Sequence, residues 1–171
     1  LGDEARDQLT LERAIALAHE SGNRRAELRA VEWLAISFVR LRVPTDVAIE
    51  RQELLLAEAA GELRTEASIR APLAWLYGYA GRFEDARDAL ALSRPMLSGD
   101  FGWMLEWAAG GMNAGAIELM AGDPVAAEHE LRPAYDALGA MGAVGYQGTV
   151  AYYLACSLYE QGLYDEAASL S

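Results

Sequence analysis

The chain has 171 residues, 53% of them hydrophobic, and a formal net charge of −12. That apolar content excludes disorder, and so acidic a surface repels phosphate and excludes nucleic acid as a direct ligand. All 14 basic residues are arginine; without lysine there is no Walker-type phosphate loop and no amine for Schiff-base chemistry.

Alanine, leucine, glutamate and arginine, all good helix formers, are common, and no stretch alternates cleanly between polar and apolar residues, so helices are expected throughout. The first spans about 3–20 and is ended by Gly22-Asn23. The second, about 24–42, is amphipathic, with Leu28, Val31, Leu34, Ala35, Phe38 and Leu41 at helical spacing. Pro44-Thr45-Asp46 breaks it and caps a third helix over about 45–60. Further helices are expected at about 63–80, 83–97, 102–121, 124–139, 144–161 and 164–171. Pro72, Pro95 and Pro133 fall inside or near helix ends, where each should kink or shorten its helix.

Internal repetition is the strongest signal. Gly81-Arg82-Phe83-Glu84-Asp85-Ala86, Gly122-Asp123-Pro124-Val125-Ala126-Ala127 and Gly162-Leu163-Tyr164-Asp165-Glu166-Ala167 share one pattern, with their glycines 41 and 40 residues apart. Seven residues before each glycine stands a small residue, Ala74, Gly115 or Ala155, and nine after the first two stand Leu90 and Leu131. The glycine ends one helix in a left-handed turn, and the next residues start another; Asp123-Pro124 is an N-cap followed by proline at the first helical position. The small residues lie where two helices cross closely, and the aromatic and leucine positions fill the hairpin core.

This order of small residue, glycine, aromatic, alanine and leucine resembles the tetratricopeptide repeat over roughly residues 67–171, in three copies. The period exceeds the family's usual 34 or so residues, and Arg70, Gly111 and Ala151 stand where its first-helix tryptophan is expected. The phrases Ala71-Pro72-Leu73-Ala74-Trp75-Leu76-Tyr77 and Leu131-Arg132-Pro133-Ala134-Tyr135-Asp136-Ala137-Leu138 are similar to the helical region that follows the ATPase module of large bacterial signalling proteins. Such proteins often carry a nucleotide-cyclase or DNA-binding transcription-activator domain. The resemblance implies an all-α, right-handed superhelical array of αα-hairpins at about 24–60, 63–97, 102–139 and 144–171, behind a leading helix at 3–20. Residues 1–171 would then be one repeat domain, a fragment of a longer protein. A lysine-free, arginine-rich composition suits a GC-rich bacterial genome.

Catalytic chemistry finds little support. His19 and His129 sit in expected helices without zinc-ligand spacing and read as surface residues. Cys156 has no basic neighbour in sequence and reads as a packing residue; a lone thiol makes no internal disulfide and suits a reducing compartment. Gly110-Gly111 and the glycines from 139 to 148 lack the strand–turn–helix context of a nucleotide site. Glu84-Asp85 and Asp165-Glu166 complement helix dipoles, and Asp3 with Arg6, Glu84 with Arg87, and Glu128 with Arg132 stand at ion-pair spacing. The first residues lack a signal-peptide core, and Phe101 to Gly122, the most apolar stretch, carries Glu106, Asn113 and Glu118 and fits a buried helix. The expectation is a cytoplasmic protein that is not an enzyme and holds no metal or cofactor.

In tetratricopeptide arrays the first helix of each hairpin lines a concave peptide-binding groove. Carried over, this places Trp33, Ser37 and Arg40 in the groove, then Trp75 and Tyr79, then Met112 and Leu119, then Tyr152, Cys156 and Tyr159. Such a groove suits a peptide with apolar side chains and a carboxylate; the plainer alternative is that several of these residues are core. Trp103 and Trp107 are expected to pack between repeats. Two other roles stay open: sensing a small molecule on behalf of an attached ATPase, cyclase or transcription-activator module, and self-association through exposed end repeats. Apolar end surface such as Leu170 leads to the expectation that the isolated chain dimerises or aggregates.

Overall fold

A computed structural model describes residues 3–39, 43–93 and 104–170. Among these there are nine helices and no strand: α1 (Asp3–Glu20), α2 (Arg24–Phe38), α3 (Thr45–Glu58), α4 (Leu63–Tyr79), α5 (Phe83–Ser93), α6 (Met104–Ala121), α7 (Pro124–Ala140), α8 (Val144–Glu160) and α9 (Tyr164–Ser169). Arg40, Pro95, Trp103 and the side chains of Asp3 and Trp107 lie outside the described residues.

Turn chemistry sets most of the boundaries. At Gly122 (φ +79°) the backbone takes the left-handed conformation that side chains resist. The Gly122 amide donates to the Leu119 carbonyl at 3.1 Å, and the Asp123 amide to the Glu118 carbonyl at 2.9 Å. This pair of bonds satisfies carbonyls that the end of α6 would otherwise leave open. Asp123 Oδ1 then accepts from the Ala126 amide at 2.9 Å and starts α7, with Pro124 following. The same two bonds close the turns at Gly22, Gly81, Gly142 and Gly162.

The α2–α3 connection is built differently. Gln52 is fully buried on α3, and its Nε2 donates to the Ala35 carbonyl in the last turn of α2 at 2.8 Å. A side chain from the next helix thus does what a glycine turn does elsewhere. The cap expected from Thr45-Asp46 is not made: Pro44 occupies the N-cap with no side-chain bond, and Asp46 Oδ1 accepts from the adjacent Val47 amide. Neither Pro72 nor Pro133 shortens its helix, since α4 and α7 run on past both. A proline removes one bond to the carbonyl four residues back, and the packing of Pro72 in the interior holds α4 together.

Consecutive helices pack on one another, and the even-numbered helices also form a row, with α2 against α4, α4 against α6 and α6 against α8. Small residues set the close crossings. Ala74, Ala86 and Ala127 are fully buried. A Cβ built on Gly115 would lie 2.3 Å from Leu131 Cγ, and one on Gly78 would lie 2.8 Å from Ile117 Cδ1. Leu90 and Leu131 fill the core as expected, and Phe83 is half-buried against it. Tyr164, at the equivalent position to Phe83, is 60% exposed and meets Tyr159 edge-on at 5.1 Å.

Ion pairs fasten the packed helices. Arg87 on α5 grips Glu118 on α6 through two bonds of 2.8 and 2.7 Å while also holding Glu84 at 2.6 Å. These carboxylates, Glu118 first, raise the guanidinium pKa above its already high value. Glu128 meets Arg132 at 2.9 Å and Gln161 at 2.9 Å, which ties α7 to the α8–α9 turn and holds the Glu128 carboxyl below the usual carboxylate range. No helix among the described residues is long and apolar enough to cross a membrane.

Candidate functional site

The even-numbered row carries a cleft of about 410 Å³. Ser68, Ala71 and Pro72 of α4 form its floor; Ile36 and Val39 stand on the α2 side, Met112 and Asn113 on the α6 side, and Trp75 joins the lining from α4. Proline at 72 has no N–H, so the helical bond from position 72 to the Ser68 carbonyl cannot form, and the cleft floor is a place where the α4 ladder is interrupted.

Trp75 is fixed from α6. Its Nε1 donates to Asn113 Oδ1 at 2.8 Å. Beyond it runs a strip of aromatic rings. Tyr79, one turn along α4, meets Trp75 edge-on with centroids 6.0 Å apart. Tyr153 of α8 meets Trp75 from the other side at 6.3 Å, and Tyr152 meets Tyr153 at 5.3 Å. α4 and α8 each pack on α6, and the Trp75–Tyr153 contact joins them. Burial, then the neighbouring Tyr79, Tyr152 and Cys156, push the Tyr153 hydroxyl pKa upward. Among the described residues that line the cleft none has an ionisable side chain, so this part offers apolar surface and hydrogen bonds.

The residues expected in a groove fall into three groups. Trp75 and Met112 line the cleft, and Tyr79 and Tyr152 belong to the aromatic strip. Trp33, 55% exposed, lies on α2 outside the cleft lining, while Ser37 turns its hydroxyl back to the Leu34 carbonyl at 2.7 Å. Leu119 packs against the α7–α8 core, Cys156 is half-buried, and Tyr159 is exposed beside Tyr164. Arg40 lies outside the described residues, so the carboxylate-binding part of the expectation has no described partner.

Ile36, Val39, Ser68, Ala71, Pro72, Asn113 and Tyr153 were not among the expected groove residues. The repeat register contained three of them: Pro72, Asn113 and Tyr153 stand 41 and 40 residues apart, the same steps as the turn glycines. The register also explains Tyr159. Gly78, Leu119 and Tyr159 are equivalent, and Gly78 faces Ile117 and Met120 of the next helix in the row while Leu119 packs against the α7–α8 core. Tyr159 therefore occupies a position that in α4 and α6 serves helix-to-helix stacking.

Two other hollows lie elsewhere on the chain, the α7 one about 540 Å³ in volume. One of about 290 Å³ between α1, α2 and α3 is flanked by the Arg51–Glu12 pair at 3.6 Å, and the other lies along α7 alone. His19 is exposed and bonded to Glu27 at 3.1 Å, and no group of three or more His, Cys, Asp or Glu side chains that could hold a metal exists among the described residues. No protein-family model and no curated protein sequence matches the chain significantly.

Proposed function

We propose that the chain is a tetratricopeptide-like repeat domain whose even-numbered helices line the concave face of a right-handed array, and that it binds a peptide or protein segment there. In this reading it is the docking region of a bacterial regulatory protein, works in the cytoplasm, and does no chemistry of its own. The row of alternate helices and the 40-residue register support the array. The observation that carries the binding role is the Tyr79–Trp75–Tyr153–Tyr152 strip beside the cleft. Tryptophan and tyrosine supply large contact area at low entropic cost, and hot spots for protein partners are enriched in them.

A second reading is a small-molecule sensor, favoured by a cleft volume within the range of small-ligand pockets. Native mass spectrometry of the purified chain separates the two: a co-purifying adduct of a few hundred daltons, on the order of drug-sized ligands, would favour the sensor. The docking reading is tested by selecting a displayed random-peptide library on the wild-type chain and on Trp75→Ala, with circular dichroism to confirm that the variant folds. Enrichment on the wild type that disappears on the variant is expected. Equal enrichment on both would overturn the proposed site.

A further inference from the structure

Resting on the peptide-binding reading, we infer that the aromatic strip is a track for a proline-rich segment in the polyproline II conformation, with a basic residue at the end that lies over α8. The first argument is the supply of hydrogen-bond donors. The hydroxyls of Tyr79, Tyr152 and Tyr153 have no hydrogen-bond partner among the described residues, although their rings are held in contact. The indole N–H can only donate, so the Asn113 atom facing it is the carbonyl oxygen, and the amide N–H groups of Asn113 are left to the cleft. A proline-rich backbone presents carbonyl acceptors and few N–H groups, which matches a row of donors. A helical ligand has its carbonyls already bonded, and a strand needs an open sheet edge, which a row of helices does not provide.

The second argument is spacing. Ring centroids along the strip are 6.0, 6.3 and 5.3 Å apart. Two residues of polyproline II advance about 6.2 Å, so alternate residues of the ligand keep step with the rings. Proline rings lie well on aromatic faces, and the conformation is largely formed before binding, which lowers the entropic cost.

Charge sets the direction. Residues 133–171 contain Asp136, Glu160, Asp165 and Glu166 and no arginine, with Glu166 paired to Arg132 at 3.4 Å, whereas α2 exposes Arg25 and Arg29. The α8 end of the strip lies in the more acidic part of the chain and therefore favours a cation on the ligand.

The test uses the whole chain, nitrogen-15 labelled, and three probes: Arg-Arg-(Pro)8, Glu-Glu-(Pro)8 and an amphipathic Leu/Lys helical peptide. The arginine peptide is expected to move the Trp75 indole signal, assigned by its loss in Trp75→Phe, and to bind at least about fivefold tighter at low salt than the glutamate peptide. Tyr153→Phe, which keeps the ring and removes the hydroxyl, should weaken binding by about fivefold. Proline peptides that leave the indole unmoved, while the helical peptide shifts it, would overturn this inference and leave the groove reading standing. If no displayed or synthetic peptide moves the indole, the groove reading fails with it. Equal affinity for the arginine and glutamate peptides would overturn the assigned polarity.

Discussion

Replacing Gly115 by alanine tests the close crossing on which the repeat pattern depends. The new Cβ would lie 2.3 Å from Leu131 Cγ and 2.8 Å from each Leu131 Cδ, and Leu131 is fully buried. Relief requires α6 and α7 to move apart by roughly an ångström, or Leu131 to leave its rotamer; overpacking of this kind costs about 1–3 kcal/mol. Alanine returns about 1 kcal/mol of helix propensity. The net expectation is a loss of up to about 2 kcal/mol, which for a chain of this size lowers Tm by up to roughly 8 °C. Leu131→Ala alone should cost about 2–5 kcal/mol through the cavity it opens. In that background the clash is gone, so Gly115→Ala should become stabilising, and the double-mutant cycle should show strong coupling. Thermal unfolding followed by circular dichroism reads all four chains. A Gly115→Ala chain as stable as the wild type, with no coupling to Leu131, would refute the reasoning.

Gly148 provides the opposite case: it is exposed in α8 and nothing lies within 4 Å of an added Cβ, so Gly148→Ala should gain roughly 0.5–1 kcal/mol in the same melts. Gln52→Ala leaves the Ala35 carbonyl without its donor and opens a cavity, for an expected loss of about 2–4 kcal/mol in urea unfolding; Gln52→Leu, which fills the space, should lose less, and equal effects would contradict the capping role. Burial and a 2.7 Å bond to Glu53 push the Tyr77 hydroxyl up to about 12 from an ordinary 10. Because the folded state holds this proton more tightly, the stabilisation is complete below pH 10 and is lost as pH rises toward 12. Melts between pH 9 and 12 should therefore fall more steeply for the wild type than for Tyr77→Phe.

The helices and their turns were legible because their signals are local. A glycine in the left-handed conformation, an Asp-Pro start and a small residue at a crossing each act within a few residues, so the ends of α4, α6 and α8 fall within a residue or two of expectation. That Gly115 sits at a close crossing and that Leu131 fills the core were readable for the same reason, one a fixed step before the turn and the other a fixed step after it; that the two meet was not.

What escaped depends on contacts between distant segments. The Gln52 cap on Ala35 spans 17 positions, and no local motif announces a buried glutamine. Tyr153 joins the strip through its ring contact with Trp75, which depends on how α4, α6 and α8 stack together. The groove list mixed two faces of the same helices. Trp75 and Tyr79 belong to the aromatic strip, whereas Leu119 and Tyr159 share the stacking register of Gly78. Helical period alone does not separate faces about 100° apart when both carry apolar residues.

The central claim, that the face built by α2, α4, α6 and α8 receives a peptide, is tested most directly by mapping the amide and indole signals of the labelled chain as a library-selected peptide is added. The account predicts that shifts concentrate on Trp75, Tyr79, Met112, Asn113 and Tyr153, the residues that line the cleft and the aromatic strip. Shifts gathered instead on α3, α5 and α7, with the Trp75 indole unmoved, would contradict it.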